Sequence, residues 1–152
     1  MNKSNKKIIT QNKKAHHEYF IEDTYECGIV LVGTEIKSIR LGKVSINEAY
    51  CQVVKGEMII EGMHISKYEL GNIFNHDPER KRKLLLHKRE IIKLGNYVSR
   101  EGYTLVPLAV YIVDGKCKVE LAVCRGKKLY DKRDSLKEKS LKREEQKHFK
   151  YD

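Results

Sequence analysis

The chain is 152 residues long, the length of one ordinary domain, with 40% hydrophobic and 34% charged residues. Its 31 Lys+Arg against 21 Asp+Glu give a formal charge of +10, which points to polyanionic partners, nucleic acid first and an anionic membrane surface second. No apolar run approaches the roughly 20 residues of a membrane helix, and the basic N-terminus carries no apolar signal core, so the reading is a cytoplasmic, non-membrane protein.

Residues 1–14 hold five lysines and no acid and read as a flexible basic arm. "HEYFIED" alternates as a strand, and Tyr25 to Val32 read as a second strand of β-branched residues. In "GTEIKSIRLGK", Ile36, Ile39 and Arg40 stand at helical spacing between two glycines and predict one short helix. "NEAYCQVVKGEMIIEGMHI" reads as a hairpin turning at Lys55-Gly56-Glu57.

The clearest predicted helix covers residues 77–101. Asp77-Pro78 would cap it, Leu84, Ile91 and Val98 recur every seven residues, and Leu85 with Ile92 widens the stripe. Gly95-Asn96 would divide it, Gly102 would end it, and "ERKRK" would form its basic face. "YTLVPLAVYIVDGKCKVELAVCRG" reads as a second hairpin with an Asp114-Gly115 turn, and Pro107 marks its first strand as an edge or a bulge. Six or so short strands with inserted helices predict a mainly β (α+β) domain over residues 15–130. A small OB-like closed barrel and an α+β sandwich both fit that pattern.

Residues 131–152 form a basic tail. Ser135 and Glu138 make a capping box, and Glu138 and Lys142 a favourable pair. Leu136, Leu141, Phe149 and Tyr151 form no continuous stripe, so the expectation is a tail disordered when free and helical when docked.

No phosphate loop, dinucleotide fingerprint, nucleophile elbow or H-E-x-x-H occurs, so no enzyme, cofactor or metal is expected. Cys27, Cys51, Cys117 and Cys124 lie in strand-like runs without C-x-x-C spacing and read as small buried hydrophobes. His76-Asp77 leaves a metal-dependent nuclease as a third-ranked reading. Basic residues are grouped: residues 79–93 and 125–152 are each net +5, as is the N-terminal arm. Such clusters neutralise phosphates, and interleaved tyrosines, otherwise core residues, can stack on unpaired bases.

"NKKAHHEYFIEDTYECGIVLVGTEIKSIRLGKVSI", "HISKY", "HDPERKRKLLLHKREI" and "CRGKKLYDKRDSLKEKS", in that order, closely resemble the SsrA-binding protein (SmpB) family from about Asn12 to the tail. The resemblance implies an OB-like barrel that binds the tRNA-like domain of transfer-messenger RNA. It implies entry into the decoding site and empty mRNA channel of stalled ribosomes, ribosome rescue and tagging of the nascent peptide. The RNA would be alanyl-charged and delivered by elongation factor Tu, with no obligate protein oligomer. The alternative is a general OB-type nucleic-acid-binding or ribosome-associated protein without a dedicated RNA.

By motif, the resemblance carries RNA contact over to Asn12, Lys13, Tyr19, Glu26, Glu35, Lys37, Arg40, Leu85, His87, Lys118, Lys127 and Lys128. It carries decoding-site contact to Tyr130, Asp131, Lys132 and Arg133. Glu26 and Glu35 fit either as acceptors for a 2′-hydroxyl or base amino group or as members of intramolecular salt bridges. Cys27 stands where alanine is usual, Lys67 where "HISPY" has proline, and Tyr130 where histidine is frequent. Tyr130 keeps a stacking face but no titratable ring.

Overall fold

The computed structural model describes residues 6–70 and 75–127. Nine strands and three helices follow in the order β1 (Lys6–Gln11), α1 (Lys13–Glu18), β2 (Tyr19–Ile29), α2 (Gly33–Arg40), β3 (Val44–Ser45), β4 (Tyr50–Val54), β5 (Glu57–Glu61), β6 (His64–Ile65), β7 (Arg82–Leu85), α3 (Lys88–Glu101), β8 (Thr104–Val113) and β9 (Lys116–Gly126). Seven strands form one antiparallel sheet, ordered β1-β8-β4-β5-β7-β2-β9, in which β8 also pairs with β9. β3 and β6 make a separate two-stranded sheet.

The turns follow from local backbone chemistry. Lys55-Gly56 and Asp114-Gly115 all take positive φ, the geometry of the two-residue turns that match strand twist, and they close β4–β5 and β8–β9 as predicted. β8 is buried along nearly its whole length, and the proline the sequence flagged sits beside its register shift between Pro107 and Ala109. The inner faces of β4, β5, β7, β8 and β9 meet in one core with Met58, Ile60, Leu84, Leu105, Val119 and Leu121. The helix α3 lays Ile91 and Leu94 on that core, and its Gly95 comes close enough for a Cβ there to touch Val53. A smaller cluster, Val106, Leu108, Ala122 and Cys124, lies under Ala15 of α1. All four cysteines are free and buried, as their strand setting predicted; burial pushes the thiols of Cys27 and Cys124 up to about 12 and that of Cys117 to about 11.

Three expectations are corrected. The predicted strands at residues 17–23 and 25–32 are one continuous strand, β2, bulged between Ile21 and Asp23. Residues 6–14 are not an arm, because β1 pairs with β8 and Lys13-Lys14 open α1; residues 1–5 lie outside the described residues. The predicted helix over 77–101 begins only at Lys88. Residues 82–85 are strand: Arg82 and Leu84 point in and Lys83 and Leu85 out, a period of two. Gly95 does not divide α3, whereas Gly102 ends it in the left-handed conformation as predicted.

Arg82 explains the strand. Its side chain is fully buried, with Nε donating to the equally buried Glu35 at 2.7 Å and Nη1 to the Met63 carbonyl at 2.7 Å. Arg80 reaches the same carboxylate at 2.7 Å. A helix here would pull both guanidiniums off Glu35. Asp77 caps no helix; its carboxylate accepts from the Glu79 N–H at 2.9 Å.

Candidate nucleic-acid interface

Three strands bring sequence-distant candidates together. Gly28 of β2 pairs with Leu85 of β7 on one side and Lys118 of β9 on the other. Paired residues share a face, so Leu85, Gly28 and Lys118 form one outward row. Leu85 is exposed, and Gly28 leaves it room: a Cβ on Gly28 would sit 3.3 Å from the Leu85 Cβ. Two residues along β2, Glu26 faces Glu120 on the same surface. Burial first and the Glu26 carboxylate second push the Tyr111 phenol above its ordinary value.

The helix α2 carries two more of the candidates. Arg40, in its last turn, reaches the Gly115 carbonyl at 3.4 Å, which sets its guanidinium beside the β8–β9 turn. Lys37 stands 5.5 Å over the Tyr68 ring. At the end of β7, exposed His87 is the N-cap of α3, and Glu90 accepts from its N–H at 3.2 Å. Leu85, Lys118 and Glu26 thus lie at the Gly28 end of β2, with His87 two residues beyond Leu85, while Arg40 is placed at the β8–β9 turn and Lys37 against Tyr68. Lys118 stands in the row itself, and Arg40 lies beside the β8–β9 turn.

Lys13, Tyr19 and Lys127 lie elsewhere, at the other end of the β2–β9 pair, where Tyr19 pairs with Gly126. Lys127 Nζ donates to the His16 carbonyl at 3.2 Å, tying the end of β9 to α1. Tyr19 lines a cleft of about 340 Å³ with Lys14, Glu18, Asn47, Tyr50 and Thr104. Burial raises the Tyr19 phenol above its ordinary value.

Two candidates turn inward and are corrected. Asn12 is buried: Oδ1 accepts from the Ala15 N–H at 3.0 Å and caps α1, while Nδ2 donates to the Pro107 and Ile46 carbonyls at 3.0 and 3.1 Å. The backbone N–H of Asn12 takes the Leu108 carbonyl at 2.7 Å, so this one residue satisfies the carbonyls freed by the β8 bulge. Glu35 is sealed between Arg80 and Arg82 and accepts from the Val32 N–H at 2.9 Å. Of its two readings, the intramolecular bridge is the one the packing supports. Burial would raise its carboxyl, but bonds from Arg80, the Val32 backbone and Arg82 outweigh burial and hold it below the ordinary range. The basic stretch 79–93 accordingly presents four fewer unpaired cations than its sequence suggests, Arg80 and Arg82 held by Glu35, Lys81 beside Glu61 and Lys83 beside Glu57. Lys128, Tyr130, Asp131, Lys132 and Arg133, with the rest of the predicted tail, lie outside the described residues.

The metal-nuclease reading loses its histidine. The ring of buried His76 uses both nitrogens, Nδ1 with the Thr34 hydroxyl at 2.8 Å and Nε2 with the Ile65 carbonyl at 2.8 Å. Among the described residues no group of three or more His, Cys, Asp or Glu is placed to hold a metal ion, and no helix is long and apolar enough to cross a membrane. Gly28 is the contributor that sequence reading missed; a glycine inside a β-branched strand was its signal.

The family model described as SmpB protein matches residues 9–151. The chain belongs to the SmpB family. It is 58% identical over 149 residues to the SsrA-binding protein of Geobacillus kaustophilus, covering 98% of this chain and 96% of that one. The SsrA-binding protein of Caldanaerobacter subterraneus is 60% identical over 144 residues, covering 95% and 91%. A chain of a solved structure, "tmRNA-SmpB: a journey to the center of the bacterial ribosome", superposes with a TM-score of 0.68 at 46% identity, covering 88% of this chain and 94% of that chain.

Proposed function

We propose that the chain is an RNA-binding adaptor for trans-translation. It binds the tRNA-like domain of transfer-messenger RNA (SsrA RNA) and takes it to the decoding site of stalled ribosomes, enabling ribosome rescue and tagging of the nascent peptide. The observation that carries this is the row Leu85–Gly28–Lys118 with Arg40 at its border, in a chain of this family. A row of apolar and cationic side chains on a rigid sheet suits recognition of a folded RNA by shape and phosphate, rather than base-by-base reading. The pairings β8-β4-β5-β7-β2-β9 and back to β8 support a small closed OB-like barrel as its frame.

In this reading the adaptor is not an enzyme, works in the cytoplasm without an obligate oligomer, and meets the alanyl-charged RNA together with elongation factor Tu. Lys127 and Lys128 continue the basic surface, and Tyr130, Asp131, Lys132 and Arg133 contact the decoding centre. The rest of the tail enters the mRNA channel.

The test compares the full chain with a truncation after Arg125. Tight binding of the tRNA-like domain by both, weaker binding of an ordinary tRNA, and loss of peptide tagging only in the truncation are expected. Equal affinity for both RNAs would favour a general nucleic-acid binder. Loss of RNA binding on truncation would overturn the division between barrel and tail.

A further inference from the structure

A second surface lies at the Gly126 end of the β2–β9 pair, on the face away from Tyr19. There Phe20 pairs with Arg125, and the β2 bulge brings the Glu22 carboxylate within 3.1 Å of the guanidinium. The Arg125 guanidinium stands 5.0 Å over the Tyr103 ring, and Tyr103 meets Tyr97 edge to face at 5.5 Å. One turn earlier on α3, Lys93 stands 6.0 Å from both Tyr97 and Tyr25. Lys127 closes the band 5.3 Å over Phe20, a residue 39% exposed. Four rings and three cations lie along one edge, Phe20 exposed and Tyr25, Tyr97 and Tyr103 partly buried against the core, with Glu22 and Asp23 the acids beside them.

We propose that this band is a second RNA contact that takes an unpaired stretch of RNA by stacking its bases. It rests on the RNA-binding reading above but on none of the same residues of the Leu85–Gly28–Lys118 row. A duplex contact needs only phosphate-neutralising cations, whereas rings interleaved with cations suit single strands, whose bases are free to stack. The cation–ring pairs make the exchange favourable. A base that displaces Lys127 from Phe20, or Arg125 from Tyr103, covers the ring with a larger stacking partner and releases the cation to a phosphate. Phe20 and Gly28 are eight residues apart on β2, about 26 Å at strand rise, so one nucleotide cannot serve both surfaces.

The test uses the full chain, both free and saturated with the tRNA-like domain of transfer-messenger RNA. Each form is titrated with a labelled ten-nucleotide oligouridylate and with a ten-base-pair RNA duplex. The saturated form should still bind the oligouridylate. Phe20→Leu, which keeps apolar volume and removes the stacking face, should weaken that binding at least about fivefold, as should Arg125→Gln. Both variants should bind the tRNA-like domain within about twofold of the parent chain, the scatter expected of a site they do not touch. Oligouridylate binding unchanged in both variants, preferential binding of the duplex, or complete competition by the tRNA-like domain would each overturn the proposal. A chain that fails to bind the tRNA-like domain at all would refute the adaptor reading instead, and the titrations of the free chain would still decide this one.

Discussion

Asn12 and Glu35 both stand in motifs that the family resemblance ties to RNA, and both are occupied inside the protein. Glu35 holds two guanidiniums, one of them fully buried. Removing the carboxylate strands Arg82 in the interior, so Glu35→Ala is expected to cost about 3–5 kcal/mol, read from denaturant unfolding. The acid limb of stability should carry the same signature. A carboxyl held below its ordinary value in the fold contributes stability above about pH 4.3, and loses it as pH falls through the folded value. Stability of the parent chain should therefore drop over that window more steeply than that of Glu35→Gln. Asn12→Ala removes a helix cap and leaves the bulge carbonyls of β8 short of a donor; a loss of about 1–3 kcal/mol is expected. Under conditions where that variant is folded, its affinity for the tRNA-like domain should match the parent's. A large affinity loss with unchanged stability would return Asn12 to the RNA surface.

At the scale of elements, what was legible in the sequence depended on how local its cause is. The turns at Lys55-Gly56 and Asp114-Gly115, the helix α2 and the glycine stop of α3 are set by residues next to one another, and all were read correctly. The strand β7 was missed because four residues are too short for alternation to outweigh a seven-residue repeat. The residue that fixes β7, Glu35, lies 47 positions before Arg82. β1 was missed for a similar reason: five lysines hid a strand whose partner, β8, is a hundred residues away. The turns offer a direct check. Gly115 has φ of +78° and Gly56 of +79°, so alanine at either should cost about 1–2 kcal/mol of stability. Gly33, in the first turn of α2 with open space around it, should accept alanine with no loss. Thermal unfolding of the three variants separates these outcomes.

Across the whole molecule, the formal +10 charge is distributed with a purpose that neither composition nor motif reveals. Two arginines of the most basic internal stretch are spent on Glu35, inside the fold. The candidate residues that share the outer face come instead from β7 and β9, meeting at Gly28, with Arg40 of α2 beside the β8–β9 turn. That convergence was invisible in sequence because it depends on strand register, and a slip of one residue would turn Leu85 and Lys118 to the wrong face. The resemblance supplied the candidate residues; the register sorts them into a row, a group at the opposite end of the sheet, and two structural anchors.

The most direct measurement is the salt dependence of binding to the tRNA-like domain for the parent chain, Lys118→Gln and Arg40→Gln. If Lys118 and Arg40 each neutralise a phosphate, each substitution should weaken binding and reduce the slope of log K against log salt by about 1. Affinity and slope identical to the parent's in both variants would contradict the placement of the RNA on the Leu85–Gly28–Lys118 row.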